Sequence, residues 1–216
     1  ECCLYEPDRE RSIYEEGFYA DLAAGEALTD AGIGIIGNAN NVNFGGPAIR
    51  SSCARLDELG IPHAGAGIDR KSAYASVIVE RDGIKYGFLQ RSSVYWSHGG
   101  HEATAEFPGI AVLEAHTAYK PRISETRTLT RPGHAPEIIT WCEPGSLKTF
   151  CDDIAELRSS CDILICSNHW GCDHDVLQYM EQAGHAAIDA GADVVVGHGP
   201  HFPLGIEIYK NKPIFY

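Results

Sequence analysis

Short apolar runs alternate with amphipathic stretches along most of the chain, and this alternation predicts strands separated by helices. Apolar residues at helical spacing predict helices over 15–30, 47–59, 146–158 and 175–190, the third with Ser146 as its N-cap. Short apolar runs between turn residues predict strands over 33–36, 76–80, 85–90, 161–166, 194–196, 206–209 and 213–216. Strands that alternate with helices, with apolar runs at both ends of the sheet region, indicate an α/β sandwich.

Residues 92–142 depart from this pattern, because they are rich in Gly, Pro, His and Thr and contain few periodic runs. Long irregular segments in compact domains are often functional lids or binding loops. We therefore expect one domain over 1–216, with an elaborated loop or lid at 92–142. Part of this loop is expected to border the functional site, and the alternative is a surface insertion.

Composition and charge narrow the class of protein. Hydrophobic residues make up 44% and charged residues 22% of the 216, a mix typical of a soluble globular protein. No run approaches the roughly 18 apolar residues of a transmembrane helix, so no membrane segment is expected within this sequence. The formal net charge of −13, from 17 Lys and Arg against 30 Asp and Glu, argues against a nucleic-acid-binding protein.

The cysteines and the chain ends add two expectations. Eight cysteines without a C-x-x-C pair predict mostly buried free thiols, which favours a reducing compartment and hence the cytoplasm. The chain begins at Glu1 rather than Met and stops inside an apolar run. We therefore expect a fragment that lacks both ends of a longer protein, with room for a signal or anchor upstream of Glu1.

Three polar clusters each follow a predicted buried strand, at 37–43, 167–174 and 197–201. Open α/β sheets place their sites at the carboxyl ends of the strands, where loops converge. His169, His198 and His201 offer the neutral nitrogen ligands that Zn, Mn or Fe favour, and Asn carbonyl oxygens suit a harder second metal. Such a mixed set is what a two-metal hydrolase needs. For each histidine taken alone, the alternative is an ordinary core or surface residue.

Other phosphate-binding and hydrolytic motifs are missing from the sequence. Gly65-Ala-Gly67 does not continue into a Walker or Rossmann fingerprint. No serine lies in a G-x-S-x-G nucleophile elbow, which argues against a serine hydrolase.

Several motifs together resemble one known family. Ser167-Asn-His-Trp-Gly171 matches a His-Trp-Gly motif, and the C-terminal third matches most specifically, through Val195-Val-Gly-His-Gly-Pro-His201 and Lys212-Pro-Ile-Phe-Tyr216. Gly45 to Ile61 resembles the helix that follows an Ala-Asn-Asn-His motif, and Glu1 resembles the last residue of an Asn-Leu-Glu motif. The family is the capsule synthesis protein CapA (poly-γ-glutamate capsule) family, of the calcineurin-like metallophosphatase superfamily. The resemblance covers nearly the whole chain except 92–142.

The resemblance implies a four-layer α/β/β/α sandwich of the metallophosphoesterase type and a site with two divalent metal ions, Mn, Fe or Zn. It makes Glu1 a bridging carboxylate, His169 and His201 ligands, and His198 an adjacent ligand or supporting group. With the Asn turn included, the candidate ligands are Glu1, Asn38, Asn41, His169, His198 and His201. Asp173 and His174 are candidate contacts for an anionic small-molecule or polymeric substrate.

The chain departs from the family where relatives carry a catalytic histidine. Counted back from Gly45 without a gap, Asn40 takes that position; shifted by two residues, Ala39-Asn40-Asn41 matches Ala-Asn-Asn and Val42 replaces the histidine. Asn can bind a metal or orient a phosphoryl oxygen but cannot serve as a general acid. Asn40 and His169 are the catalytic candidates.

Three interpretations of the function follow. The leading one is a CapA-like metal-dependent hydrolase linked by resemblance to capsule or poly-γ-glutamate synthesis. The second is a non-catalytic scaffold or anionic-polymer-binding protein that keeps the fold. The third is a structural α/β domain whose histidines are incidental.

Overall fold

The computed structural model describes residues 3–6, 18–121, 133 and 135–216. Its helices are α1 (Ala24–Asp30), α2 (Gly46–Glu58), α3 (Arg70–Tyr74), α4 (Pro144–Arg158) and α5 (Gln178–Ala190). Its strands are β1 (Cys3–Leu4), β2 (Tyr19–Ala20), β3 (Ile36–Gly37), β4 (His63–Ala64), β5 (Ala66–Gly67), β6 (Val77–Arg81), β7 (Ile84–Ser92), β8 (Gly109–Ile110), β9 (Ala115–Lys120), β10 (Glu137–Cys142), β11 (Ile163–His169), β12 (Val194–His198), β13 (Ile206–Tyr209) and β14 (Lys212–Phe215).

A six-stranded mixed sheet with the order β13-β14-β12-β11-β7-β6 organises these elements. Its four inner strands run parallel, and the edge strands β13 and β6 pair antiparallel to their neighbours. The remaining strands form short pairs, β1 with β2, β3 with β4, β5 with β8, and β9 with β10. The prediction of an α/β fold is therefore confirmed at the level of a mixed α/β structure around a central sheet.

The two faces of the central sheet carry different kinds of side chain. Leu89, Leu164 and Cys166 are fully buried in one hydrophobic cluster with residues of α4 and α5, and we call this side the helix face. Because side chains alternate along a strand, the neighbouring residues Gln90 and Ser167 point to the opposite side, which we call the site face. The β3–β4 pair lies over the site face, since β4 contacts β7.

Most predicted elements agree with the structure to within a few residues, including helix α2, the β6–β7 hairpin and the β13–β14 hairpin. Asp82 and Gly83 at the tip of the first hairpin both have positive φ, as a tight turn between twisted strands requires. Strands β11 and β12 continue further than predicted and end at His169 and His198. These histidines therefore belong to strand ends rather than to the loops that follow.

The prediction of one helix over 15–30 is wrong in the part that the structure describes. Tyr19 and Ala20 instead pair with β1, and the helix begins only at Ala24. Asp21 explains the interruption, because its side chain accepts a hydrogen bond from the Ala23 amide at 2.7 Å and so stabilises a turn. Residues 15–17 of this prediction lie outside the described residues.

The predicted cap of α4 is also wrong. Glu143 is the N-cap, and its carboxylate accepts the Ser146 amide at 2.5 Å. The Ser146 hydroxyl instead accepts the Glu114 amide at 2.9 Å, which ties the start of α4 to the segment before β9. Helix α5 likewise begins at Gln178 rather than at 175.

The described residues bear on the expectations for free thiols and for membrane segments. The cysteines in the described part of the chain are free thiols: Cys3, Cys53, Cys142, Cys151, Cys161, Cys166 and Cys172. Among the described residues no helix has both the length and the apolar character that crossing a bilayer demands.

The core beneath the helix face yields a prediction on stability. Ile154 of α4 has 0% exposed surface, and replacing it with Ala leaves a cavity between α4 and the sheet. We expect Ile154→Ala to lower the free energy of unfolding by about 2–5 kcal/mol in urea denaturation followed by circular dichroism. Glu156→Ala, on the exposed side of the same helix, is the control and should change it by no more than about 0.5 kcal/mol. Equal losses in both variants would contradict this packing.

Candidate functional site

Two histidines lie side by side where β11 and β12 end. The strands pair in parallel register with His169 opposite His198, and their Nδ1 atoms are 3.1 Å apart. Both side chains project from the site face, beneath the turn that follows β3. On its other side His169 reaches this turn, with its Nε2 atom 2.9 Å from the Asn41 Oδ1 atom. The structure therefore brings three of the predicted site residues into direct contact.

Gln90 of β7 completes this contact network, although the sequence analysis does not single it out. Its Oε1 atom accepts the Ala39 amide at 2.6 Å, and its Nε2 atom lies 3.0 Å from His198 Nε2. Ser167 adds a hydroxyl 3.2 Å from the same His198 nitrogen. The sequence signal that could have pointed to Gln90 is a polar residue near the end of an otherwise apolar strand, because a buried polar residue needs hydrogen-bond partners.

The chemistry of the two amide side chains determines where the histidine protons lie. An amide nitrogen donates and an amide oxygen accepts, so Gln90 Nε2 donates to His198 Nε2, and His169 Nε2 donates to Asn41 Oδ1. His198 Nδ1 must then carry the proton that it donates to His169 Nδ1. This tautomer assignment satisfies every one of these bonds with neutral rings.

Burial keeps the His169 ring neutral. Desolvation, together with the nearby charge of His201, lowers the pKa of His169 to about 4. A neutral imidazole is the form that can offer a lone pair to a metal ion.

Glycines allow the backbone to approach these side chains closely. A Cβ atom at Gly37 or Gly65 would lie 2.4 Å or 2.7 Å from the Gln90 amide, so the strand pair above β7 has room only for glycine at both positions. A Cβ atom at Gly199, where φ is +114°, would lie 3.0 Å from His169 Cε1 and 2.9 Å from the Trp170 carbonyl oxygen. The loop after β12 therefore packs against the imidazole through its backbone.

The Asn turn is held by its own side chains. Asn40 Oδ1 accepts the amides of Val42 at 3.0 Å and Asn43 at 2.8 Å, which closes the turn. Asn43 Nδ2 in turn donates to the Asn38 carbonyl oxygen at 3.0 Å. Asn41, not Asn40, therefore reaches His169, and the catalytic role given to Asn40 stays a prediction.

Part of the segment 92–142 supports this turn from outside. His101, fully buried, donates from Nε2 to the Asn43 carbonyl oxygen at 3.0 Å and accepts the Trp96 amide on Nδ1 at 3.1 Å. The exposed Trp96 indole also donates to the Asn41 carbonyl oxygen at 3.0 Å. Burial lowers the pKa of His101 to about 4, so it holds the turn as a neutral residue.

The other predicted site residues lie at the rim or outside the description. His201 is exposed with a positive φ of 62°, and its electrostatic interaction with His169 helps to lower the pKa of His169. The His174 ring packs 3.8 Å from the Phe202 ring, next to His201, while Asp173 is exposed. Glu1 lies outside the described residues, so its predicted role as a bridging carboxylate stays a prediction.

The residues at the centre have the donor chemistry for a transition metal. Among the described residues, no group of three or more His, Cys, Asp or Glu is arranged to hold a metal ion. The donor set here is instead two imidazoles and the amide oxygens of the Asn turn. In the same turn, the Nδ2 atom of Asn38 is buried without a hydrogen-bond partner. Rotating that amide by 180° would present an oxygen instead of a nitrogen at this position, and oxygen is a donor that a divalent metal accepts. The binding of a metal ion by these residues stays a prediction.

Comparison with known proteins shows which family the chain belongs to. The family model described as "Bacterial capsule synthesis protein PGA_cap" matches residues 1–216. The chain is 29% identical over 231 residues to the uncharacterized protein y4sH of Sinorhizobium fredii, covering 89% of the chain and 50% of that protein. It is 25% identical over 196 residues to the PGA biosynthesis protein CapA of Bacillus subtilis, covering 88% of the chain and 43% of that protein.

A third relative is a probable polyglutamine synthesis accessory protein of Mycobacterium tuberculosis, 30% identical over 189 residues, with 82% of the chain and 42% of that protein covered. The chain thus spans about half or less of the length of these curated relatives. With the family model matched from the first residue to the last, the chain belongs to the bacterial capsule synthesis protein PGA_cap family.

Proposed function

We propose that this chain is the core of a metal-dependent hydrolase of phosphoesterase type that acts in capsule or poly-glutamate synthesis. The observation that carries the proposal is the contact between His169, His198 and Asn41 at the ends of two parallel strands. The four-layer α/β/β/α arrangement belongs to the same proposal. It is supported by the β3–β4 pair lying over one face of the central sheet and by α4 and α5 covering the other.

Divalent ions of Mn, Fe or Zn, held by His169, His198, His201 and the oxygens of Asn38 and Asn41, would act as Lewis acids on the oxygens of a substrate. The protein's own residues prepare that site. Gln90 orients the His198 ring through Nε2, and the Gln90 side chain is itself oriented by the Ala39 amide. Because Gln90 Nε2 donates to the lone pair of His198 Nε2, a metal ion bound at that nitrogen would have to replace this hydrogen bond.

The rim of the site supports an anionic substrate. The His174 ring packs against Phe202, next to His201, and the N–H group of an imidazole can donate a hydrogen bond to an anion. The exposed Trp96 flanks the turn on the other side. Because the overall charge of the chain is −13, local cationic groups and bound metal ions would have to attract the anion.

The names of the relatives connect this chemistry with a biological process. Two of them are called a PGA biosynthesis protein and a probable polyglutamine synthesis accessory protein. We infer that this chain serves the same kind of process, acting on an anionic polymer or on one of its precursors. The chain spans less than half of those relatives, so the activity of the whole protein is likewise a proposal.

A non-catalytic scaffold that binds an anionic polymer is the second candidate, and one observation favours it. In either register of the resemblance the family's histidine is replaced, by Asn40 or by Val42, and the Asn40 side-chain oxygen already accepts two backbone amides of its own turn. An amide cannot donate a catalytic proton at neutral pH. A hydrolase would therefore need another acid, and His174 at the rim is the candidate.

Metal affinity is the first test of the site. We expect His169→Ala and His198→Ala each to weaken Mn²⁺ binding at least tenfold in calorimetry, because each removes a direct nitrogen ligand. Mutation of residues that only support such a ligand already lowers metal affinity by about 10–100-fold. His185→Ala is the control, since this histidine contacts Glu207 on the far side of the sheet. If Mn²⁺ binds all three variants as it binds the unaltered chain, the metal site is not here.

The Asn turn offers a matched pair of substitutions. We expect Asn41→Asp to tighten Mn²⁺ binding, because a carboxylate replaces the amide oxygen that faces His169. Asn40→Asp adds the same charge one residue earlier, where the oxygen is engaged by the amides of Val42 and Asn43, and should change the affinity less. Calorimetry with both variants decides the question, and a larger gain for Asn40→Asp would contradict the assignment of Asn41.

Turnover separates the hydrolase from the scaffold. With Mn²⁺ present, we expect the chain to hydrolyse p-nitrophenyl phosphate esters, and His174→Ala to reduce the rate by about 10²–10⁴-fold if His174 is the general acid. Metal binding should stay unchanged in that variant. A chain that binds Mn²⁺ tightly and hydrolyses no ester would support the scaffold instead.

A further inference from the structure

A cavity lies away from the candidate site. Its volume is about 230 Å³, the space of about eight water molecules, which is below the range of drug-sized pockets. Helix α3, the start of α4 and residues 102–114 surround it, and Arg91 of β7 contributes to its wall. A cavity of this size suits one small metabolite of roughly amino-acid dimensions.

The cavity and the candidate site are on opposite faces of the central sheet. Gln90 contacts His198 on the site face, and because side chains alternate, the next residue Arg91 points to the helix face. There the Arg91 guanidinium is 2.5 Å from Asp153 of α4, with only 1% of its side chain exposed. A substitution in the cavity can therefore be tested without touching the histidines.

The cations of the cavity are arranged around one aromatic ring. The guanidinium carbons of Arg70 and Arg91 lie 4.3 Å and 4.6 Å from the centre of the Tyr74 ring. The Arg91 guanidinium donates to the backbone carbonyls of Gln90 and Tyr74 and to Asp153. Arg70 uses one terminal nitrogen for Glu102, at 2.6 Å, and its remaining N–H groups make no hydrogen bond within the described residues.

The carboxylates that line the cavity differ in their hydrogen-bond and ion-pair partners. Glu102 is paired with Arg70 and also accepts the Tyr74 hydroxyl at 2.7 Å. Glu143 caps α4, and the amides of Gly145 and Ser146 lower the pKa of its carboxyl group. The Glu114 carboxylate has no hydrogen-bond or ion-pair partner in the part of the chain that the structure describes, although its backbone is fixed at both ends by Ser146 and Glu143.

We propose that this cavity binds a small zwitterion, a molecule with one ammonium and one carboxylate group. The ammonium group pairs with the Glu114 carboxylate, and the carboxylate pairs with the remaining N–H groups of Arg70. The Arg70 side chain is already held by Glu102, and the Glu114 backbone is fixed by the start of α4, so part of the ordering that binding requires is already present. This inference does not depend on the proposed metal-dependent activity.

Simple amino acids that differ in the separation of the two charges can test this. We expect at least one of glycine, β-alanine and γ-aminobutyrate to bind to the chain in calorimetry and to raise its Tm. Propylamine and propionate, which each carry only one of the charges, should bind at least tenfold more weakly than the best zwitterion. Either of them binding as tightly as the best zwitterion would overturn the proposal, as would no binding by any of the three amino acids.

Two variants and a control locate the site. Glu114→Gln, of the same shape as the original residue, and Arg70→Gln, which is shorter, should each weaken binding of the best zwitterion at least tenfold, because each removes one charge of the pair. Glu80→Gln, on the exposed edge strand β6, should leave its affinity unchanged. Circular dichroism shows whether each variant is folded, and folded variants that bind the zwitterion with unchanged affinity would place it elsewhere and refute the assignment. Mn²⁺ affinity should be the same in all of them, which separates this test from that of the histidine site.

Discussion

The register of the parallel strands β7, β11 and β12 is the constraint on which both sites depend. It places Ser92, His169 and His198 at the same level, so that the two imidazoles meet edge by edge. Because side chains alternate, a shift of one residue would turn the histidines toward α4 and α5 and would bring apolar residues to the site face. The fully buried Leu89 and Leu164 prevent such a shift, since their exposure would forfeit the largest hydrophobic cluster of the domain.

Close backbone approach is the second requirement. The backbone approaches Gln90 at Gly37 of β3 and at Gly65, directly after β4, and the loop after β12 approaches His169 at Gly199. A polar side chain buried beneath such a closely packed backbone requires a hydrogen-bond partner. Ala39, Gln90, His198, His169 and Asn41 meet this requirement as one chain of donors and acceptors.

This chain of hydrogen bonds has a functional consequence for the proposed metal site. The imidazoles are neutral, oriented and close together, which is what a metal ion needs from its ligands. Their lone pairs are engaged with each other and with Gln90, so an ion that takes them has to displace those hydrogen bonds. Asn40, in contrast, stabilises its own turn, because its side-chain oxygen accepts the amides of Val42 and Asn43.

Local patterns in the sequence determined most helices and the strands of the central sheet, because period and turn chemistry act over a few residues. These patterns placed His169 and His198 in the loops after two strands, whereas the structure has them as the last residues of β11 and β12. The patterns failed at 15–30 and at the cap of α4, where the side chains of Asp21 and Glu143 accept hydrogen bonds from nearby backbone amides. The sequence also indicated which residues were candidates for the site. Only the tertiary structure decided that Asn41 rather than Asn40 contacts His169, and that Gln90 and His101 support the site. These contacts join residues 51 to 128 positions apart in the chain, and such pairs are set by sheet register and close packing, which no local pattern encodes.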